Sequence, residues 1–142
     1  MKTIVVIDGK GGGVGSALIS RLNAENVPAR VLALGTNALA TSAMLRAGAD
    51  DGATGENAIV RCCQRADVVA GPIGIVLAGA MLGEVTDAMA AAAAQCESRV
   101  LIPNAKSGTY VCGVQELTLT QYIELAARQV ARLVQGAGSP LA

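Results

Sequence analysis

The sequence predicts an α/β fold in three layers, with a mostly parallel, doubly wound sheet of about five strands between two layers of helices. Three observations carry this. Short apolar runs rich in β-branched residues recur along the chain without polar interruption, as strands buried on both faces do. Stretches with apolar residues at helical spacing stand between them. Glycine, proline or asparagine closes most of the runs.

The elements follow in order. Thr3 to Ile7 is a buried strand. Glycines follow, and Val14, Ala17, Leu18 and Leu22 then mark one face of a helix that Val27-Pro28-Ala29 ends. Arg30 to Leu34 is the second strand, closed by Gly35-Thr36-Asn37. Ala38 to Ala47 reads as a helix with Gly48 at its end. Asp50 to Gly55 is a polar connection with room for a short strand, and Thr54 is placed to cap the helix Asn57 to Arg65. Asp67 to Ala70 is a strand ended by Gly71-Pro72. Ile75 to Leu82 is read as an apolar helix. Thr86 or Asp87 caps the alanine-rich helix that ends near Gln95. Arg99 to Ile102 is a strand ended by Pro103-Asn104. Tyr110 to Val114 is read as a short antiparallel edge strand, paired with its predecessor through an Ala105-to-Gly108 turn. Thr118 to Val134 is the last helix, with Leu119, Ile123, Ala126, Val130 and Leu133 on its apolar face. One domain over residues 1–135 and a flexible tail over 136–142 are expected.

Composition removes several functions. Lys plus Arg equals Asp plus Glu at 11 each, so no basic excess points to nucleic acid. Two tyrosines are the only aromatic residues, too few for a single-strand stacking platform. There is no histidine, which excludes histidine-based triads, general bases and metal ligands. Cys62, Cys63, Cys96 and Cys112 have no metal or thioredoxin spacing and read as small apolar residues of a reducing compartment. The uncharged run Val68 to Gly83 is too short for a membrane span and is broken by Gly71-Pro72-Ile73-Gly74. The apolar start, Ile4 to Ile7, is too short for a signal peptide. A cytoplasmic protein is expected, with no nucleic-acid or membrane partner. An apolar fraction of 52% in a chain this small points to a homo-oligomer, a dimer or higher.

In a doubly wound sheet, ligands bind beyond the carboxyl ends of the strands. Those ends are Asp8-Gly9, Gly35-Thr36-Asn37, Gly71-Pro72-Ile73-Gly74 and Pro103-Asn104. The first loop is the strongest, with Gly9, Gly11, Gly12, Gly13 and Gly15 between a strand and a helix. Glycine lets backbone N–H groups approach an anion, and the helix dipole favours it. Gly11, Gly13 and Ser16 fit a loose form of the dinucleotide fingerprint. The expected cofactor-binding residues are Gly9, Lys10, Gly11, Gly12, Gly13, Val14, Gly15, Gly35, Thr36, Asn37, Gly71, Pro72, Ile73 and Gly74. The ligand is expected to be phosphate-bearing, NAD or NADP first and another nucleotide next. The acid that usually binds the ribose at the second strand's end is missing; Thr36 and Asn37 stand there instead. A P-loop is the rival reading, but Ser16 occupies the place of its lysine.

Asp50, Asp51 and Glu56 suggest a divalent-metal site, against the simpler reading of a solvated turn. Glu84 reads as an ordinary carboxylate near a helix start. Lys10 and Lys106 lie in the expected site loops, as phosphate neutralisers or as surface charge.

Read together, these segments resemble an uncharacterised family of small Rossmann-like proteins from anaerobic bacteria, domain of unknown function 3842. The matching stretches are Ile7-Asp8-Gly9 with Gly11-Gly12-Gly13-Val14-Gly15, Ala33 to Thr41, and Ala47-Gly48-Ala49-Asp50. Gly52 to Ala58, Gly71-Pro72-Ile73-Gly74 and Met81-Leu82-Gly83-Glu84 continue them. A basic residue often follows the last glycine in that family; here it is Ser16. The resemblance implies the Rossmann-like fold and supplies no activity or catalytic residue. Two functions stay open beside nucleotide binding: a non-catalytic metabolite sensor or oligomeric partner subunit, and a metal-dependent enzyme using Glu56 or Asp50.

Overall fold

A computed structural model describes residues 1–103 and 108–136. The strands are β1 (Lys2–Asp8), β2 (Ala29–Gly35), β3 (Asp51–Thr54), β4 (Val68–Pro72) and β5 (Arg99–Ile102). The helices are α1 (Gly13–Ala24), α2 (Ala38–Arg46), α3 (Glu56–Cys63), α4 (Asp87–Gln95) and α5 (Leu119–Val134). The five strands form one sheet in the order β3-β2-β1-β4-β5, and every pair is parallel. Strand order reverses at β1, so the crevice between the ends of β1 and β4 is the switch point of the fold.

Residue alternation in β1 divides the core. Ile4 and Val6 face a layer built with α1, α2 and α5, through Leu18, Leu22, Met44, Ala127 and Val130. Val5 and Ile7 face a thinner layer built with α3 and α4, through Ile59, Val69, Ile75 and Ala93. Burying each branched side chain contributes about 1.5–3 kcal/mol, and Ile4 to Ile7 are all buried. Side chains cap the starts of α2, α4 and α5. Thr86 accepts from the Met89 N–H to begin α4, and Thr118 and Gln121 form a reciprocal capping box on α5.

Several expectations are corrected. Ile75 to Leu82 is not an α-helix: Ile73–Val76 makes one 3-10 turn, and the chain then folds into tight turns. Gly79 and Gly83 have positive φ, as do Met81 and Leu82, and Gly79 N–H bonds the Val85 carbonyl instead of continuing a helix. Tyr110 to Val114 forms no strand; it is exposed and turns at Gly113, with φ 82°. The sheet is therefore parallel throughout. Most of the Ala105-to-Gly108 turn, Lys106 and residues 137–142 of the tail lie outside the described residues. Thr54 does not cap α3; Gly55 stands at the N-cap position, where no side chain accepts, and the Thr54 hydroxyl bonds that of Thr41 at 2.7 Å. Leu119 is half exposed rather than part of the buried stripe of α5. The connection Asp50 to Gly55 contains the edge strand β3.

Candidate functional site

The site begins with Asp8, the last residue of β1, which is only 4% exposed. Its Oδ1 accepts from Gly9 N–H and its Oδ2 from Gly15 N–H, both at 2.7 Å. The carboxylate thus sits on the N-terminus of α1, where unpaired N–H groups and the dipole favour negative charge. Gly12 enters that helix with φ 72°, and a Cβ there would lie 2.9 Å from the Ala40 carbonyl oxygen.

The remaining loop donors can be accounted for one by one. Gly12 N–H bonds Gly9 O, Ser16 N–H bonds Gly12 O, and Lys10 N–H bonds Glu84 Oε1 at 2.9 Å. Gly11 and Gly13 N–H have no hydrogen bond among the described residues. Both glycines are exposed, and a Cβ on either meets nothing within 4 Å. Two open donors at the helix start form what a small anion needs.

Glu84 ties three loops together. Its Oε1 accepts from Lys10 N–H, from Thr36 Oγ1 at 2.7 Å and from Asn37 Nδ2 at 2.8 Å. Asn37 is engaged on every side: its Oδ1 caps α2 at Ala40 N–H, and its amide also donates to Lys10 O. The Glu84 loop is strained. Met81 and Leu82 have φ of 58° and 57°, a left-handed pair that costs about 1–2 kcal/mol per residue. Such strain collects at functional sites. Met81 Sδ packs over Gly9, where a Cβ would lie 2.5 Å from it. The β1–β2 side of the edge, where Thr36 and Asn37 were expected to meet a ribose, is thus filled by Met81 and Glu84.

The two carboxyls titrate in opposite senses. Lys10 N–H, then the Thr36 hydroxyl, hold Glu84 below its ordinary 4.5. Its bonds therefore contribute stability above pH 4.5, lost as pH falls through the lower folded value. Burial pushes Asp8 above 3.8, although the N–H groups of Gly15, Gly9 and Val14 oppose it and the Glu84 charge adds to it. Its contribution is complete below pH 3.8 and declines as pH rises through the raised value. Glu84→Gln should therefore flatten the loss of stability on acidification below pH 4.5, read as urea midpoints against pH. An acid limb identical to that of the parent would contradict the bonding of Glu84.

The β4–β5 side of the edge is open. A hollow of about 680 Å³ there is lined by Val14, Pro72, Ile102, Pro103, Tyr110 and Tyr122, among others. The chain's two tyrosines, its only aromatic residues, both line it. Tyr122 is fixed by its hydroxyl, which donates to Gln115 O at 2.7 Å and accepts from Leu117 N–H, whereas Tyr110 is 80% exposed. Ile73 and Gly74 follow Pro72 in the 3-10 turn, and Gly35 ends β2 against Thr41.

The acidic residues read as metal candidates are used otherwise. Asp50 Oδ2 accepts from Val31 N–H at 2.8 Å, Asp51 pairs with Arg30, and Glu56 accepts from the Thr86 hydroxyl. Among the described residues, no group of three or more Cys, Asp or Glu side chains is placed to hold a metal ion. Among them also, no helix is long and apolar enough to cross a membrane.

The model of a family described as a domain of unknown function (DUF3842) matches residues 3–135. No curated relative matches the sequence. The chain is similar in structure to a dodecameric FMN-dependent UbiX-like decarboxylase from Escherichia coli O157:H7. The two are 16% identical over 99% of this chain and 96% of that one, with a TM-score of 0.49. It is also similar to AibC at 17% identity, over 92% of this chain and 38% of that one, with a TM-score of 0.44.

Proposed function

The chain belongs to the DUF3842 family of domains of unknown function, and we propose that this member binds a nucleotide through its phosphate at the glycine loop. The phosphate lies on the N–H groups of Gly11 and Gly13, with Lys10 as the nearby cation. The nucleoside or flavin body lies in the hollow over Pro72, Ile102 and Pro103, against Tyr110 and Tyr122. The observation that carries this reading is the opening of two unpaired N–H groups beside a hollow that holds both aromatic side chains.

Each charge-assisted hydrogen bond to the phosphate contributes about 1.5–3 kcal/mol, and stacking on a tyrosine adds about 1–3 kcal/mol. The Asp8 and Glu84 carboxylates oppose a second anion near Gly9, so the phosphate belongs on the Gly11–Gly13 side. A mononucleotide therefore precedes NAD or NADP. The second half of a dinucleotide would have to displace Met81 and Glu84 from above Gly9, Thr36 and Asn37.

The same reading takes the protein to be a homo-oligomer of the bacterial cytoplasm. Val111, Val114, Leu119 and Leu125 are exposed apolar residues beside the hollow, and a second copy covering them would close it from outside. The same feature favours the second reading, a metabolite sensor whose self-association changes with its ligand.

Gly13→Val tests the site. The position has room for the side chain, so the far-UV spectrum and melting should stay near the parent values. The branched side chain covers the two N–H groups, so the affinity for AMP or FMN should fall about tenfold or more. Equal binding of those nucleotides by parent and variant would refute the phosphate position.

A further inference from the structure

We infer a second ligand site, for a small doubly charged organic anion, in an arginine-rimmed cleft between α3 and the β3 edge of the sheet. Five strands are covered by three helices on one face and by two on the other. The thinner layer leaves Leu32 half-buried, and a cleft of about 340 Å³ opens over β2 and β3. That volume lies within the range of small-ligand pockets. Its floor is apolar, made by Leu32, Leu34 and Ala53, and Arg30, Arg61 and Arg65 stand around it.

The charges are not balanced within the cleft. Asp51 is the one acidic residue lining it, and it meets Arg30 at 3.6 Å with both side chains more than half exposed. That pair is weak and easily rearranged. Arg61 and Arg65 have no ion pair or side-chain hydrogen bond among the described residues. Arg61 stands near the end of α3 and Arg65 in the turn that follows it. Asp67 lies next to the lining residue Thr3, but it is committed to the Thr3 N–H at 2.8 Å and to Lys2. Two positive charges therefore face an apolar floor without a counter-charge in a protein of zero net charge.

Guanidinium groups bind phosphate and carboxylate oxygens in pairs, which gives them both affinity and orientation. The floor accepts the carbon body of the ligand. Thr3 and Arg30 are register partners near the starts of their strands, whereas Asp8 pairs with Gly35 at the other end. Leu34 and Ala53 carry the cleft toward the carboxyl ends of β2 and β3, but no residue of the glycine loop lines it, so its occupation does not depend on the nucleotide reading.

Phenyl phosphate, phthalate and inorganic phosphate are the probes, titrated into ¹⁵N-labelled protein. The first two should move the amide signals of Gly52 and Ala53, and phenyl phosphate should bind more tightly than inorganic phosphate because only it uses the floor. Whichever of the first two binds more tightly distinguishes a phosphomonoester from a dicarboxylate site. Arg61→Gln/Arg65→Gln, both exposed changes, should weaken that binding about tenfold or more. Gly13→Val should leave it unchanged. Shifts confined to the glycine loop, equal binding by the double variant, or no shift with either organic probe would overturn the site.

Discussion

Gly71→Ala should lower the stability of the protein by about 3 kcal/mol or more, a fall of about 10 °C in melting temperature. Gly71 lies near the end of β4, beside β1 in the middle of the sheet. A Cβ there would overlap the Ile7 carbonyl oxygen and press on Ile75 Cδ1. The first of these is backbone of the central strand β1, so no side-chain rotation relieves it. The strands must move apart, and Ile7 and Val69 lose their packing with them. Gly13→Ala is the control, since nothing lies within 4 Å of its Cβ, and it should stay within about 0.5 kcal/mol of the parent. Circular dichroism melts of the two variants decide the matter. An alanine at 71 that melts with the parent would mean that β4 does not approach Ile7 this closely.

Asp8→Ala should cost about 3 kcal/mol, for a different reason. The side chain is the acceptor for Gly9 N–H and for Gly15 N–H in the first turn of α1, and both bonds are removed together. Buried donors left without partners cost their full desolvation penalty. Asp8→Asn keeps one accepting oxygen but turns an amide group toward the other donor, so it should recover only part of the loss. Urea denaturation at neutral pH gives the ranking, parent above asparagine above alanine. An alanine variant as stable as the parent would mean that water satisfies the loop in place of Asp8.

Much of the fold was legible because parallel strands buried on both faces leave unbroken apolar runs. Ile4 to Ile7 and Val68 to Ala70 are such runs, and both lie at the centre of the sheet. The failures share a cause. Ile75 to Leu82 has helical apolar content, but Gly79 and Gly83 allow turns that closure over Gly9 requires, and composition does not record that closure. Tyr110 to Val114 has strand-like residues, yet strand formation depends on a partner rather than on propensity alone.

The glycine loop was legible as a donor-rich turn after a strand. The use of its donors was not. Asp8 was visible only as a strand end, and nothing local says that its carboxylate turns back onto Gly15. Glu84 was read as an ordinary helix-start carboxylate. The signal available was its isolation, as the charge that closes the uncharged run Val68 to Gly83. Its contact with Thr36 and Asn37 joins residues 47 or 48 positions apart, and only the fold brings them together. This carboxylate stands beside the place where the missing ribose acid was sought, contributed by the loop after β4 rather than by the end of β2.

The most direct measurement is a thermal-shift panel on freshly purified protein with AMP, ATP, FMN, NAD and NADP, alongside native mass spectrometry for any nucleotide carried through purification. A nucleotide present at about 100 times its Kd should add about 2.7 kcal/mol of stability, a clear rise in melting temperature. The account predicts such a rise with AMP or FMN, larger than with NAD or NADP, and its loss in Gly13→Val. A panel that leaves the melting temperature unmoved, with no nucleotide carried through purification, would contradict it and leave the glycines of the first loop to the packing of α1 alone.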